Sequence, residues 1–499
     1  MDKSEIKEIF KNCKGILQGD GLKTQDLQLP QISWVLFLKV VDYFDEERAL
    51  LERNTIEAIP KPFGWKDWAS VGDKGINGDK LIKFVNFELF PHLAELPSKE
   101  GVESRQAISF TFRYFKNGVK DGINLRRMIN EIDKIKLDEK TLDDLAEAYK
   151  EELTEWTNDA ENKAYFFTPR PLCQFIVSQL KPNFKKNDKV FDPAFGLGGF
   201  LIESYNFMKK DAKQVSDLKK LRFESLIGQE KNPDHYLCGS LNLMLQGIAT
   251  PNVLNINSLT RPTKEIPPEG EYQVIMTNPS YNEPEADEIQ ESLPYEYRTK
   301  DSALHFLFRI MEELTDGGRA AMILPNGIMF GGGKANKIKQ RLLERFNLHT
   351  IVRLPESIFA PRTGIETNIW FFEKGIPTKE IWYYDMPMPD RLKAGSEGKT
   401  KISYNKTNPP IIEDFDNLSK WFKNKVENDY AWRVDVKDVK KTNEKGEIEI
   451  NLDRHHPDSE KTTPELSPHE LIKQILADER KTLSLLEDVE KLIQKEIPK

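Results

Sequence analysis

Residues 275–284, IMTNPSYNEP, place polar groups directly after an apolar run. The Asn278 amide oxygen and the Pro279 carbonyl are two hydrogen-bond acceptors on a stiff backbone. Two such acceptors suit an exocyclic amino group, which carries two N–H donors. Tyr281 offers a flat ring on which a base could stack. The stretch therefore fits an acceptor site for a planar amine, although an Asn-Pro turn without any such role would look the same.

The chemistry that suits these acceptors is methylation of the amino nitrogen of adenine. That nitrogen is a poor nucleophile because its lone pair is delocalised into the ring. Hydrogen bonds from both of its N–H groups to these acceptors favour a localised lone pair. That lone pair can attack a methyl group held in line. Since a base inside a duplex cannot be reached, the target would have to be flipped out.

A glycine-rich turn in KVFDPAFGLGGFLIES follows another apolar run, which ends at Asp192. Gly196, Gly198 and Gly199 allow a sharp turn and a close approach to a ligand. The helix predicted after them offers free N–H groups to an anion, while Asp192 can accept from an amine. The turn thus suits a zwitterionic amino-acid group, and its spacing differs from the G-x-G-x-x-G of dinucleotide sites.

Glu230 ends the next apolar run, in SLIGQEKNP. A carboxylate at the end of a strand can accept hydrogen bonds from two ribose hydroxyls. Taken alone, the residue would equally fit a solvated surface position.

The elements around these residues predict an α/β fold. From about residue 162, short β-prone runs alternate with helical patterns, which indicates a doubly wound parallel sheet with its ligands at the carboxyl ends of the strands. We predict a helical N-terminal domain at 1–155, a catalytic domain at 156–405, a linker or irregular extension at 406–466 and a C-terminal helix at 467–499.

The predicted C-terminal helix has a clear start and an apolar stripe. Ser467 and Glu470 form a capping box, with Pro468 at the first helical position. Apolar residues at helical spacing follow: Leu471, Ile475, Leu476, Leu483, Leu486, Val489 and Ile493. The stripe would pack either within the chain or on a helix of a partner.

Composition narrows the class of protein. A net charge of −8 argues against binding to nucleic acid through bulk positive charge alone. The three cysteines have no paired spacing, and no histidine motif suggests a metal site. No stretch is long and apolar enough to span a membrane, and the N-terminus has no secretory pattern. The composition therefore predicts a cytoplasmic protein without a metal ion.

Taken in order, the motifs resemble those of the modification (methyltransferase) subunits of type I restriction-modification systems, which are adenine-N6 DNA methyltransferases. AYFFTPRPLCQFIV is similar to the entry motif of that family, and DPAFGLGGFL is similar to its cofactor loop. GGRAAMILPNGIMF, TGIETNIWFFEKG and NLDRHHP resemble further blocks, so the likeness extends over nearly the whole chain.

The resemblance implies a Rossmann-like domain that uses S-adenosylmethionine as methyl donor. Asp192, Gly196 and Gly198 would hold the methionine end, with Phe167 and Thr168 nearby. Glu230 would hold the ribose, and Asn257 would lie beside the adenine ring of the cofactor. Asn278, Pro279 and Tyr281 would receive the flipped adenine of the DNA.

The resemblance also implies partners. The expected complex contains double-stranded DNA, a specificity subunit that reads the sequence and a second copy of this chain. A restriction or translocase subunit is a further candidate partner. The C-terminal helix then becomes a candidate contact for the specificity subunit.

Four positions depart from the family pattern. Phe195 and Leu197 replace a Cys and a Thr of the cofactor loop, Asn257 replaces an Asp, and Ser280 replaces the second Pro of the acceptor motif. Two alternatives therefore stay open. One is a catalytically weak or inactive scaffold subunit of the same kind of complex, and the other is an amino-methyltransferase acting on another substrate.

Overall fold

The structure, a computed structural model, divides into two compact units, Met1–Asp453 and Arg454–Lys499. It describes residues 1–51, 55–70, 72–98, 102–157, 167–281, 284–360, 364–393, 403–443 and 446–458, together with Ile472, Lys473, Leu476, Glu479, Arg480, Thr482, Leu483 and Leu486.

The N-terminal part is helical, as predicted. Its helices are α1 (Lys3–Gly19), α2 (Gln25–Leu51), α3 (Trp65–Trp68), α4 (Gly78–Phe84), α5 (Phe90–Ala94), α6 (Ser104–Tyr114), α7 (Gly122–Asp133) and α8 (Glu139–Thr157). Residues 28–41 of α2 are all buried, so this helix forms the centre around which the others pack. The core that they enclose also takes in side chains of a later helix, among them Leu237, Leu241 and Met244.

The central feature is a nine-stranded sheet with the order β3-β2-β1-β4-β5-β7-β6-β8-β9. Its strands are β1 (Val190–Asp192), β2 (Leu226–Gln229), β3 (Asn252–Leu254), β4 (Tyr272–Thr277), β5 (Leu314–Pro325), β6 (Phe346–Arg353), β7 (Thr367–Lys374), β8 (Glu380–Asp385) and β9 (Ala431–Asp435). Only β7 and β9 run against the others among the described strands of this sheet.

Helices cover the sheet, whose strands are strongly apolar because both faces are buried. They are α9 (Arg170–Leu180), α10 (Gly199–Met208), α11 (Val215–Phe223), α12 (Pro233–Leu245), α13 (Asp287–Gln290), α14 (Ser302–Glu313), α15 (Gly327–Phe330), α16 (Lys334–Arg345), α17 (Asp390–Lys393) and α18 (Asp416–Asn424). The mixed α/β fold with a helical N-terminal part confirms the predicted fold class.

The order of the strands places the predicted site. From β1 the chain builds β2 and β3 on one side, and then returns to build β4 and β5 on the other side. The direction of winding therefore switches between β1 and β4, where a crevice opens at the carboxyl ends of the strands. Asp192 ends β1 and Asn278 follows β4, so the two motifs meet at this crevice.

The segment 406–466, predicted to be a linker, differs from that expectation as far as Asp453. Its strand β9 pairs with β8 as the edge of the main sheet, and the side chains of Leu418 and Trp421 on α18 belong to the buried core. A short hairpin follows, formed by β10 (Lys440–Thr442) and β11 (Ile448–Ile450). The charged stretch from Lys441 fits either a linker or a loose hairpin, and the structure shows the hairpin. The charged sequence hid β9 because an edge strand keeps many of its residues in solvent.

Most of the predicted C-terminal helix, including the capping pair Ser467 and Glu470, lies outside the described residues. The residues of this stretch that the structure describes are helical. Four apolar ones have exposed fractions of 53–61 %: Ile472, Leu476, Leu483 and Leu486. Among the described helices, none combines the length and apolar character needed to cross a bilayer.

Candidate functional site at the carboxyl edge of the sheet

Asp192 is buried at the end of β1, with 2 % of its surface exposed. Its Oδ1 accepts a hydrogen bond from the backbone N–H of Ala194 at 3.1 Å. The pKa of the carboxyl is raised to about 7, mainly by burial and to a smaller extent by the nearby charge of Glu230. A carboxylate in this environment would be stabilised by a cationic ligand.

The turn after Asp192 has the backbone that its glycines predicted. Gly196 and Gly198 have positive φ angles of 52° and 83°, a conformation that favours glycine. The Gly198 N–H donates to the Phe195 carbonyl at 2.7 Å, and α10 begins immediately afterwards. The turn therefore presents a helix N-terminus at the crevice.

Helix α12 approaches this turn closely at a glycine that the sequence reasoning missed. A Cβ added to Gly239 would lie 2.2 Å from the Gly196 carbonyl oxygen and 2.8 Å from the Phe195 ring. Asn242, one turn later, donates to the Leu197 carbonyl at 2.7 Å. The helix thus supports the turn from behind, and only a glycine fits at the point of contact.

The bulky residues of the glycine-rich turn, Phe195 and Leu197, are packed into the protein. Phe195 is 3 % exposed and makes an edge contact with Tyr236, with ring centroids 6.0 Å apart. Leu197 is also buried and belongs to the apolar core of the N-terminal helices. Both side chains therefore have a packing role, besides forming part of the cavity wall described below.

Glu230 follows β2 and is held against the same turn. Its two oxygens accept hydrogen bonds from the Gly196 N–H at 3.1 Å and from the Asn232 N–H at 2.8 Å. Burial raises the pKa of this carboxyl too. Asn255, another residue that the sequence reasoning missed, donates from its side chain to the Glu230 carbonyl at 2.7 Å. Asn255 thereby fixes the backbone that carries the acid.

Two neighbouring cavities are lined by seven of the ten predicted site residues, while Gly198, Pro279 and Tyr281 line neither. The first, of about 570 Å³, is lined by Phe167, Thr168, Asp192, Gly196 and Asn278 among others. The second, of about 390 Å³, is lined by Glu230, Asn257 and Ser280, and Ala194 borders both. Asn257 uses its side chain to cap a short turn by accepting from Leu259 N–H at 3.0 Å.

The acceptor motif lies beside the first cavity. The Asn278 Nδ2 donates to Thr168 Oγ1 at 3.1 Å, and the Tyr281 hydroxyl donates to Asn278 Oδ1. The same hydroxyl lies 3.3 Å from the carbonyl of Ile323 on β5. Tyr281 is only 4 % exposed, so its ring is packed in the core here rather than presented as an open stacking face.

Several residues that line the first cavity were not singled out from the sequence: Trp156, Thr157, Cys173, Gly199, Phe200 and His235. Trp156 and Thr157 close α8, so the helical N-terminal part supplies one wall of the cavity. The Trp156 and His235 rings meet edge to face, with centroids 5.3 Å apart. The sequence signal for Trp156 was its position in the last turn of an amphipathic helix. Its partner His235 is distant in the sequence, so the contact could not be predicted.

The chemistry of the first cavity favours a cationic ligand. Its described lining contains one carboxylate, several aromatic rings and no lysine or arginine. Aromatic faces attract cations, and so does the buried acid. No cluster of His, Cys, Asp or Glu among the described residues is suited to a metal ion. The crevice can therefore hold a positively charged amphipathic molecule beside the Asn278 amide.

The chain matches known proteins along most of its length. The family model N-6 DNA Methylase matches residues 140–460. The methylase subunit of the type I restriction enzyme EcoEI from Escherichia coli is 35 % identical, with 94 % of each chain covered. The EcoKI methylase subunit from Escherichia coli K12 is 26 % identical over 76 % of this chain and 71 % of that protein.

Solved structures give the same result. A modification subunit attributed to a type I restriction enzyme of Vibrio vulnificus YJ016 superposes with a TM-score of 0.80 at 34 % identity, covering 92 % of this chain and 98 % of that one. A chain from a type I R-M system superposes with a TM-score of 0.75 at 30 % identity over the full length of both. The resemblance that the motifs indicated is confirmed, and the chain belongs to the N-6 DNA methylase family.

Proposed function

We propose that the chain is the adenine-N6 DNA methyltransferase subunit of a type I restriction-modification complex. The observation that carries this proposal is the position of Asn278, whose side chain lines the cavity that also contains the buried acid Asp192. An amide acceptor and a cation-binding acid in one cavity suit the transfer of a methyl group from a sulfonium to an amine. The 35 % identity with a type I methylase subunit supports the proposal.

The cofactor in this proposal is S-adenosylmethionine, and the residues present fit it. When bound, it supplies a methyl group on a positively charged sulfur. Asp192 accepts from its amino group, while the Gly196–Gly198 turn and the start of α10 face its carboxylate. Phe167 and Thr168 complete this end of the site.

The adenosine end of the cofactor is assigned to the second cavity. Glu230 binds the ribose hydroxyls there, and Asn257 lies beside the adenine ring. Both side chains line this cavity, which adjoins the first through Ala194. Burial raises the pKa of both carboxyls, and each accepts only backbone N–H groups in the hydrogen bonds described above, which supports a site where a ligand supplies the further partners.

The target adenine is assigned to the acceptor motif. Asn278 Oδ1 and the Pro279 carbonyl accept hydrogen bonds from the two N–H groups of the amino group. These hydrogen bonds favour a localised lone pair on the nitrogen. Tyr281 orients the Asn278 amide through its hydroxyl. Stacking of the base on the Tyr281 ring would require the ring to leave its buried position.

Partners follow from the same proposal. The chain assembles with a specificity subunit, a second copy of itself and double-stranded DNA, and a restriction or translocase subunit is a candidate addition. The exposed apolar residues Ile472, Leu476, Leu483 and Leu486 support a role for residues 467–499 in binding the specificity subunit. Deletion of residues 467–499 should abolish that assembly in size-exclusion chromatography.

The test is to co-express the chain with a specificity subunit and to assay methyl transfer to duplex DNA. We expect N6-methyladenine in the product, and none from the Asn278→Ala variant, which should still bind cofactor in calorimetry. Cofactor binding without transfer in the wild-type complex would support the scaffold alternative instead. Transfer to a protein or RNA but not to DNA would support the other alternative.

A further inference from the structure

Phe330 is an exposed aromatic residue at the catalytic edge of the sheet. It ends the short helix α15, which follows β5 within two residues, and 56 % of its surface is exposed. Strand β5 lies next to β4, with Thr277 paired to Met322. The turn that carries Phe330 therefore leaves the sheet at the same edge as Asn278. It lies on the side of β4 opposite to strands β2 and β3.

A buried lysine fixes the backbone on both sides of Phe330. Lys339 is fully buried, and its ammonium donates to the carbonyls of Met329 at 3.1 Å and Gly331 at 2.9 Å. It also donates to Ile450 at 2.6 Å, and the Leu452 N–H donates to the Met329 carbonyl at 2.8 Å. Burying an ammonium without hydrogen-bond partners is costly, so the three carbonyl acceptors are strongly bound to Lys339 and hold the turn in place. The Phe330 side chain meanwhile stays in solvent.

Lys334, which begins α16 shortly after Phe330, contacts a second exposed aromatic residue, Tyr295. Lys334 donates to the carbonyls of Tyr295 at 3.1 Å and Glu296 at 3.0 Å, and its ammonium lies 5.3 Å from the centre of the Tyr295 ring. Tyr295 is 81 % exposed. These contacts join the chain that follows β4 to the chain that follows β5.

We define the edge surface as Tyr295, Arg298, Phe330, Lys334 and Lys337. It combines two exposed aromatic rings with three basic side chains, of which Arg298 also lies 3.9 Å from Glu291. Basic side chains contact phosphates, and exposed rings stack on bases or insert between them. In a chain with a net charge of −8, such a local combination suits a contact with nucleic acid.

We propose that the edge surface contacts the DNA next to the target adenine, and that Phe330 inserts into the base stack at the position from which the adenine is flipped. The proposal rests on the proposed function. Unstacking a base costs free energy, and an apolar side chain that fills the gap offsets part of that cost. Because Lys339 already holds the backbone on both sides of Phe330, the side chain can enter the base stack without an additional entropic cost of ordering that backbone.

The experiment compares the Phe330→Ala complex with wild type on two duplexes, one with a paired target adenine and one with a mismatched target. A mismatch lowers the cost of flipping. We expect at least a tenfold lower methylation rate on the paired duplex and a rate within about threefold of wild type on the mismatched one. The matched control is Phe87→Ala, which removes a 74 % exposed phenylalanine of the N-terminal helical part and should leave both rates unchanged.

Other outcomes would overturn the proposal. Equal losses on both duplexes would mean that Phe330 acts on a step other than flipping, and unchanged rates would mean that it does not contact DNA. Loss of the specificity subunit from Phe330→Ala in size-exclusion chromatography would identify the edge surface as a protein contact. Failure of the wild-type complex to methylate either duplex would instead count against the proposed function itself.

Discussion

Asn278 and Thr168 are joined by a hydrogen bond of 3.1 Å although 110 positions separate them in the chain. The bond links the acceptor motif to the entry motif that precedes α9. It also determines how the Asn278 amide is turned, because the amide nitrogen donates to Thr168 and the oxygen faces Tyr281. An amide in this orientation keeps a lone pair of its oxygen for a substrate N–H group.

Replacing Thr168 by valine should therefore lower turnover more than cofactor affinity. The substitution removes the hydroxyl that orients Asn278 and keeps the shape of the side chain. The loss of one hydrogen bond of about 1 kcal/mol predicts a roughly fivefold lower kcat. Thr154→Val, at an exposed position of α8, serves as control. An unchanged kcat, measured with saturating cofactor and DNA, would show that Thr168 does not orient the amide.

Asp192→Asn should change the pH dependence of stability. The folded-state pKa of about 7 lies above the ordinary value of 3.8, so the folded protein binds more protons than the unfolded chain between these values. The contribution of Asp192 to stability thus falls as the pH rises from about 4 to 7. The variant should melt a few degrees above wild type at pH 8 and at the same temperature near pH 4. Equal melting temperatures at pH 8 would contradict the raised pKa.

The same variant should bind S-adenosylmethionine at least tenfold more weakly at pH 8, since an amide replaces a charge-assisted acceptor. Calorimetry at pH 6 and pH 8 supplies the measurement. Wild-type affinity should also fall at the lower pH, because protonation of Asp192 removes its charge, whereas the affinity of the variant should be nearly independent of pH over this range.

The parts of the site that the sequence revealed share one property. Asp192, Glu230 and Asn278 each come directly after an apolar run, and a parallel sheet brings the ends of its strands together whatever the length of the connections. Local pattern and topology were therefore enough to place these three residues on neighbouring strands.

The parts that the sequence did not reveal depend on packing between distant segments. Trp156 reaches the cavity only because the N-terminal helices pack on α12. Tyr281 was expected to present its ring, but its hydroxyl donates to Asn278 and its ring is packed in the core. Strand β9 was missed because only two of its five residues are buried, which weakens an apolar pattern.

Trp156→Ala should weaken cofactor binding, although the residue belongs to the N-terminal helical part. The ring is 3 % exposed and lines the cavity, and its indole N–H has no hydrogen-bond partner within the described residues. The substitution removes the aromatic ring face that attracts a cation. We expect a loss of about 1–2 kcal/mol in binding free energy, which is a roughly tenfold higher Kd. Trp156→Phe should retain most of the affinity. A Phe variant as weak as the Ala variant would mean that the indole N–H rather than the ring face matters.

Ser280→Pro should raise turnover. Proline restricts its own φ angle and the conformation of Pro279 before it. The Ser280 carbonyl accepts from the Ser302 hydroxyl at 3.1 Å, and proline keeps that acceptor. A stiffer loop should hold the Pro279 carbonyl better, so a several-fold higher kcat is expected in the methylation assay. If kcat stays the same, the departures at Phe195, Leu197 and Asn257 become the residues to test.

Gly239→Ala should damage the cofactor site from behind. The added Cβ would lie 2.2 Å from the Gly196 carbonyl oxygen, and that atom belongs to backbone that cannot simply rotate away. Overpacking of this kind costs about 1–3 kcal/mol. Because the Gly196 N–H also binds Glu230, the shift should reach the ribose end of the site. We expect at least tenfold weaker cofactor binding and a lower melting temperature.

Gly15→Ala is the matched control for this prediction. Gly15 lies within α1, and an added Cβ there would meet nothing within 4 Å. Alanine favours a helix interior over glycine by about 0.5–1 kcal/mol, so this variant should be as stable as wild type or slightly more stable. Cofactor affinity should not change. If Gly239→Ala bound cofactor as tightly as Gly15→Ala does, the packing of α12 against the turn could not be what shapes the site.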